Sequence, residues 1–405
     1  MNKLLKLIWR SLLILFGVLI IFFAYIKISE PKQIYPFNDE LGITQLPTDL
    51  GSGFFKTFDR YTKITAPNGE AIHIVAQNQI TNEQLIRCRN ILEHYLTDYK
   101  GSKYGNNKSD IANKMVENKA VLTLLNGQDD GHLINSIRVM LTGIFGQALF
   151  HNEIQVEGHA WYTNQNYEHR DASYEEILHF VHDNGIGVDG HNSLPGAQPE
   201  FQKEIRAAQI NGLKNKIWAS NEREKDWILE LEAENSLSQE YLASVIDTYY
   251  GLWGAWKNSG GGMWGIYNAK TRDELNEKDA LGFKLMDNKY FHPYITYNAR
   301  IDKDFKGVFS LKYNSNIPYT NHSRYLKDIT LLGRNNVKII INELNNCITG
   351  NSGINTVIFS GSSAEYHVQK ESNCVIVTDL ITDRDGVNVL KKVEKIQFTD
   401  STLNI

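Results

Sequence analysis

The segment Ser173-Tyr174-Glu175-Glu176-Ile177-Leu178-His179-Phe180-Val181-His182 carries the side chains of a metal site at helical spacing. Glu175, His179 and His182 are separated by four and then three residues, so a helix sets them on one stripe. A carboxylate and an imidazole one turn apart grip a divalent cation. Glu176, next in the chain, stands where a general base takes a proton from water held by that cation. A structural explanation competes with the chemical one. Ser173 and Glu176 have the spacing of a capping box, in which that carboxylate only closes a helix start. His151, His159 and His169 precede the segment in a polar stretch and are further ligand candidates.

Glu240 opens a second amphipathic stretch, 239–251. Leu242, Val245, Ile246 and Tyr249 form its apolar stripe, and Gly251 is its C-cap. The helix dipole alone favours a carboxylate in that first turn. A metal-grip helix followed by a Glu-aromatic-x-Ala helix resembles the gluzincin type of zinc metallopeptidase. The resemblance implies Glu175 as first ligand, Glu176 as general base, His179 as second ligand and Glu240 as third. It also implies zinc as cofactor and a peptide or protein substrate. The strand at 120–125 would match an upper subdomain whose edge strand pairs with extended peptide. Glu175 departs from the family pattern, which has a histidine there. Two carboxylates and one imidazole are a harder donor set, and His182 is the substitute ligand from the same stripe.

These groups need a scaffold. The 405 residues suit two globular units with appendages. A hydrophobic fraction of 42% and an aromatic fraction of 11% exclude wholesale disorder. Lys+Arg 42 against Asp+Glu 47 leaves a net charge of -5, which argues against nucleic acid as partner. Residues 12–26 form an apolar run preceded by Lys3, Lys6 and Arg10. That pattern marks an N-in, C-out membrane helix or an export signal. Residues 24–29 make a poor cleavage site, so a single-pass anchor over 1–30 with the bulk extracytoplasmic is expected. Secretion after cleavage is the alternative.

Pro31, Pro36 and Pro47 make 31–53 a tether. Residues 54–330 read as a mixed unit. Apolar spacing predicts a strand at 71–77, helices at 82–95, 110–118, 171–184, 200–213 and 238–253, and a strand at 120–125. From 331 onward Asn, Gly, Ser and Thr rise and apolar runs shorten to strand length, so 331–405 is an all-β module. Three cysteines cannot all pair in one chain. Cys88 lies on an apolar helical stripe, whereas Cys347 and Cys374 could bridge two strands of the β module.

Residues 350–358 resemble one calcium-binding turn of the hemolysin-type (RTX) proteins. Gly350 and Gly353 supply the bends, Asn351 replaces a glycine, and Asn355 stands where a calcium-binding Asp would be. An uncharged amide there weakens calcium. Residues 385–400 look like the cap that ends such modules. The Gly/Trp segment 251–267 offers either a loop that closes over a cleft or indoles that fill the core, and core filling is the ordinary outcome. Residues 300–302 and 305–307 read as surface turns. With 89–93, Tyr104-Gly105 and 297–302, they also resemble a family of uncharacterised secreted bacterial proteins that often end in a hemolysin-type module.

The expected fold class is α+β: a zincin-like, mainly helical domain with a small sheet, then a β-roll-like module, behind an N-terminal membrane helix. The expected function is an exported, membrane-anchored metallopeptidase-like hydrolase. The alternative is a non-catalytic cell-surface protein that binds peptide or glycan.

Overall fold

The computed structural model describes residues 15–17, 34–128, 146–168, 170–258 and 260–405. The apolar run at 12–26 lies outside the described residues except for Leu15, Phe16 and Gly17, and His169 lies outside them too. Among the described residues, no helix is long and apolar enough to cross a membrane.

The alternating stretch at 71–77 folds as β2 (Ala71–Ala76), antiparallel to β1 (Arg60–Thr65). β3 (Val121–Leu125) and β4 (Gln147–Phe150) add to it in parallel, giving the order β1-β2-β3-β4. The strand at 120–125 is therefore not the edge strand that the peptidase resemblance implied. β3 is buried along its whole length and paired on both sides, as a continuous apolar run demands, and β4 is the edge.

One face of this sheet (Ile72, Ile74, Leu122, Leu124 and Leu149) packs into the main apolar core. The other face carries Tyr61, Val75, Val121 and Leu125, which cluster with Leu46 and Phe58. Five helices matter to the site. They are α1 (Asn82–Leu96), α2 (Ser109–Glu117), α3 (Ser173–Val181), α4 (Pro199–Lys214) and α5 (Leu237–Tyr249). Thr81 and Gln84 close the start of α1 with a capping box. α3 is shorter than the periodic run at 171–184. It widens into one π-turn at His182–Ile186 and stops at Gly187, whose φ of 97° few side chains tolerate.

The C-terminal part is a coil of parallel strands. β5 (Ile295–Ile301), β7 (Leu326–Leu331), β9 (Cys347–Thr349) and β13 (Val387–Lys391) are parallel neighbours in one sheet. β6 (Gly307–Ser310), β8 (Val337–Ile340), β10 (Asn355–Ile358) and β14 (Lys395–Gln397) are parallel neighbours in a second. The chain alternates between the two sheets at each step. β11 (Tyr366–Lys370) and β12 (Val375–Asp379) extend the first sheet as a hairpin, and β15 (Thr402–Asn404) closes the second. These sheets take their first strands from 295–310, ahead of the composition change near 331. Arg300, Ile301 and Gly307 lie in strands rather than in surface turns, and Ile301 is buried.

Cys88, Cys347 and Cys374 are free. Cys347 pairs with Val389 and Val389 with Ile376, so β13 separates Cys347 from the strand that Cys374 precedes. Two strand spacings, about 9.5 Å, exceed the reach of a disulfide. At the hemolysin-like turn, a Cβ on Gly350 would meet the Lys392 carbonyl oxygen at 1.9 Å, so only glycine fits. Asn351 Nδ2 donates to the carbonyl oxygens of Leu332 and Asn335 at 3.0 and 3.1 Å. Asn355 Nδ2 donates to Gly353 O at 3.1 Å and to a Glu394 carboxylate oxygen at 3.2 Å. A Cβ on Gly353 would meet Asn335 O at 2.6 Å. Amide N–H groups thus reach three carbonyls of this turn, while Asn355 Oδ1 is buried with no hydrogen-bond partner.

Candidate metal centre

α3 and α5 pack against each other, and Ile177, Leu178 and Val181 of the first and Leu242, Val245 and Ile246 of the second are all buried. This packing brings the hydrophilic groups of the two helices together. Glu175, His179 and Glu240 each offer a ligand atom within 4.8 Å of the others. His179 Nε2 stands 3.7 Å from Glu240 Oε1, and His179 Nδ1 stands 3.7 Å from Glu176 Oε2. Ligand atoms on a tetrahedral zinc stand about 3.4 Å apart. The Glu240–His179 pair matches that spacing, and the full set needs a small side-chain closure.

The histidine is the most telling member. It is 7% exposed, and its Nε2 has no hydrogen-bond partner. Burial alone would depress its pKa, but the carboxylates of Glu240 and Glu176 outweigh burial and push it up to about 9. Without a cation the ring is therefore an imidazolium at neutral pH.

Glu176 does not cap the helix. Ala172 is the N-cap and makes no side-chain cap bond, and Ser173 Oγ turns to Asp171 Oδ1. Glu176 Oε2 instead accepts from Gln147 Nε2 on the edge strand β4. Burial would raise its pKa. His179, Arg170 and the Gln147 amide outweigh burial and lower it, so the carboxylate is ionised and able to accept a proton. The capping explanation of this residue is thereby removed.

His182 goes elsewhere. The π-turn directs its Nε2 onto Gln202 Oε1 at 2.6 Å, and burial pushes its pKa down to about 4. It is a neutral core histidine bonded to Gln202 of α4 rather than a substitute ligand. His151 and His159 line a separate cavity of about 280 Å³ with Glu83, Gln84 and Asp302.

Two residues of the site had no reading in the sequence. Arg170 Nη1 forms an ion pair with Glu175 Oε2. Asp247 lies seven positions after Glu240, on the same stripe of α5, and is 1% exposed. Burial pushes its pKa up to about 7 against the charges of Arg170 and His179, and its Oδ2 accepts from Trp253 Nε1 at 3.2 Å. The Glu240–Asp247 spacing was a usable signal. Arg170, a lone basic residue in a loop, gave none.

Compared with protein-family models, curated proteins and solved structures, the chain matches none. The donor set must be interpreted from its own geometry.

Proposed function

We propose that Glu175, His179 and Glu240 hold a divalent cation and that the protein is an exported metallopeptidase-like hydrolase. One observation carries the reading: a buried imidazole nitrogen that bonds to nothing points at a carboxylate oxygen 3.7 Å away. A simple ion pair would close to about 2.8 Å, whereas a cation bridges a gap of this size. Bound there, a divalent cation supplies Lewis acidity, polarising a scissile carbonyl and acidifying water. Glu176 takes the proton from the attacking water. Gln147 keeps that carboxylate turned toward the centre from the sheet edge.

The set is one imidazole and two carboxylates, so zinc is the first cation to test and manganese the second. The α+β part is read as a zincin-like scaffold and the parallel coil as a worn β-roll. The basic-flanked apolar run is read as the anchor that leaves the bulk outside the cytoplasm.

The Arg170–Glu175 ion pair favours a second reading, in which the same scaffold binds peptide or glycan without catalysis. Metal analysis of the soluble part, after equilibration with Zn²⁺ or Mn²⁺, tests the first reading. Wild type should hold about one ion per chain, and the His179→Ala and Glu240→Ala variants should hold none. Equal metal in all three ends it. Glu176→Gln should then keep the ion and lose hydrolysis of a quenched-peptide library. A loaded wild type that cleaves no peptide leaves the binding reading.

A further inference from the structure

We propose that Arg170 is a latch on this centre, held closed by a tryptophan strap at 260–267. The inference rests on the reading of Glu175, His179 and Glu240 as cation ligands.

Arg170 pairs with the same carboxylate that a cation needs. Its positive charge also acts on Glu176 and Asp247. The guanidinium is thus the internal counter-cation of an acidic cluster, and a divalent ion entering between Glu175 and His179 meets it at close range. Two positive centres about 4 Å apart in a partly buried site repel strongly. The ion binds fully only when Arg170 withdraws.

Trp264 stands behind it. The guanidinium carbon lies 5.8 Å from the centre of that ring. Trp264 is held through both its side chain and its backbone. Its Nε1 donates to Tyr167 O at 3.4 Å, and the Trp264 carbonyl oxygen accepts from Arg223 Nη2 at 2.9 Å. The ring also packs edge-on against Trp253 with centroids 4.9 Å apart.

The strap backbone is strained at the same place. Met263 and Trp264 have φ of 48° and 52°, two successive non-glycine residues in the left-handed region. Gly261 and Gly265 flank them with φ of 102° and 94°. A Cβ on Gly261 would meet the Tyr267 carbonyl oxygen at 1.8 Å, so the strap closes on itself through glycine. Strain of this kind persists only where packing over-determines it, and here the packing ends on the face that backs Arg170. Loosening the strap lets the arginine retreat and frees Glu175.

Titration calorimetry with Zn²⁺ and Mn²⁺ tests this on wild type, Arg170→Gln, Arg170→Lys and Trp264→Leu, each checked by thermal melting. Arg170→Gln should bind at least about tenfold more tightly than wild type, because the competing charge is gone. Arg170→Lys, which keeps the charge, should stay within about threefold. Trp264→Leu leaves every charge in place and should tighten binding by a smaller factor. Binding by wild type that Arg170→Gln leaves unchanged or weakens overturns the latch and spares the metal centre. No binding by wild type or by Arg170→Gln overturns both. If Arg170→Gln does not fold, Trp264→Leu decides, and an affinity equal to wild type rejects the latch.

Discussion

Arg87 and Asp171, 84 residues apart, meet as a buried ion pair just ahead of α3. The other arm of the same guanidinium takes Glu157, whose Oε1 also accepts from Tyr297 Oη at 2.9 Å. Burial alone would lower the pKa of Arg87, but Asp171 and Glu157 overcome this and hold it charged. The remaining oxygen of Asp171 accepts from Ser173 N at 3.2 Å and from Ser173 Oγ. One side chain of α1 thus fixes where α3 begins, and with it the direction of Glu175 and Glu176. Replacing Arg87 by Met strands two buried carboxylates, which costs about 3–5 kcal/mol. Urea unfolding measures it, and the Arg87→Met/Glu157→Gln/Asp171→Asn triple variant should recover much of the loss. A single variant less than about 1 kcal/mol below wild type contradicts this account.

Acid stability draws on buried histidines held neutral, His94, His182 and His322 among them, with opposing help from one carboxyl. Burial pushes His182 and His322 down to about 4, and His322 Nδ1 bonds to Tyr250 O at 2.7 Å. In the unfolded chain each titrates near about 6.5. Between those values the unfolded state binds more protons, so stability falls as pH drops from about 6.5 to about 4, by about 3 kcal/mol per histidine at most. Asp247, pushed up to about 7, binds its proton in the folded state over nearly the same window and offsets roughly one of them. Denaturation at pH 7, 6 and 5 should therefore show His182→Gln with a flatter acid slope than wild type. Asp247→Asn should show a steeper one. Parallel slopes in all three proteins refute the assignment.

How much of this was legible follows from period and length. The helices around the site have long 3.6-residue stripes, and 82–95, 200–213 and 238–253 sit close to α1, α4 and α5. Three dependent features were harder to read. β4 is four residues long and β6 is four, too short for alternation to stand out from a turn. The parallel coil reveals itself through register: Val337 pairs with Asn355 and Asp328 with Cys347, contacts that no local pattern encodes. The grouping of Glu175, His179 and Glu240 was legible because two helix stripes had to share one core. The ion pair of Arg170 was not, since a loop guanidinium can reach many carboxylates.

The amide ladder of the coil predicts calcium independence at the turn where an RTX protein would bind it. Asn351 Nδ2 already fills the carbonyls of Leu332 and Asn335, and Asn355 fills Gly353 O. Asn351→Ala leaves those carbonyls without their donor, at a cost of about 1–3 kcal/mol. Adding millimolar Ca²⁺ or a chelator should shift the melting temperature of wild type by less than about 2 °C, because an uncharged amide at position 355 holds calcium weakly. A rise of about 10 °C with calcium, kept or enlarged in Asn351→Ala, would show that the cation displaces the amide.

Cation binding should expel a proton. His179 is held protonated by Glu240 and Glu176, with its pKa pushed up to about 9, yet an imidazolium cannot ligate a metal. Binding near pH 7 therefore costs the removal of that proton, and the observed affinity should rise about tenfold per pH unit until the ring is neutral by itself. Calorimetry in two buffers of different ionisation enthalpy counts the protons released, and the expected number is about one per ion. Glu240→Gln removes the carboxylate 3.7 Å from Nε2, lowers the His179 pKa and reduces the count, even as it removes a ligand and weakens binding. Tight binding with no proton released at pH 7 would place the cation on carboxylates alone, and His179 would then be a counter-charge rather than a ligand.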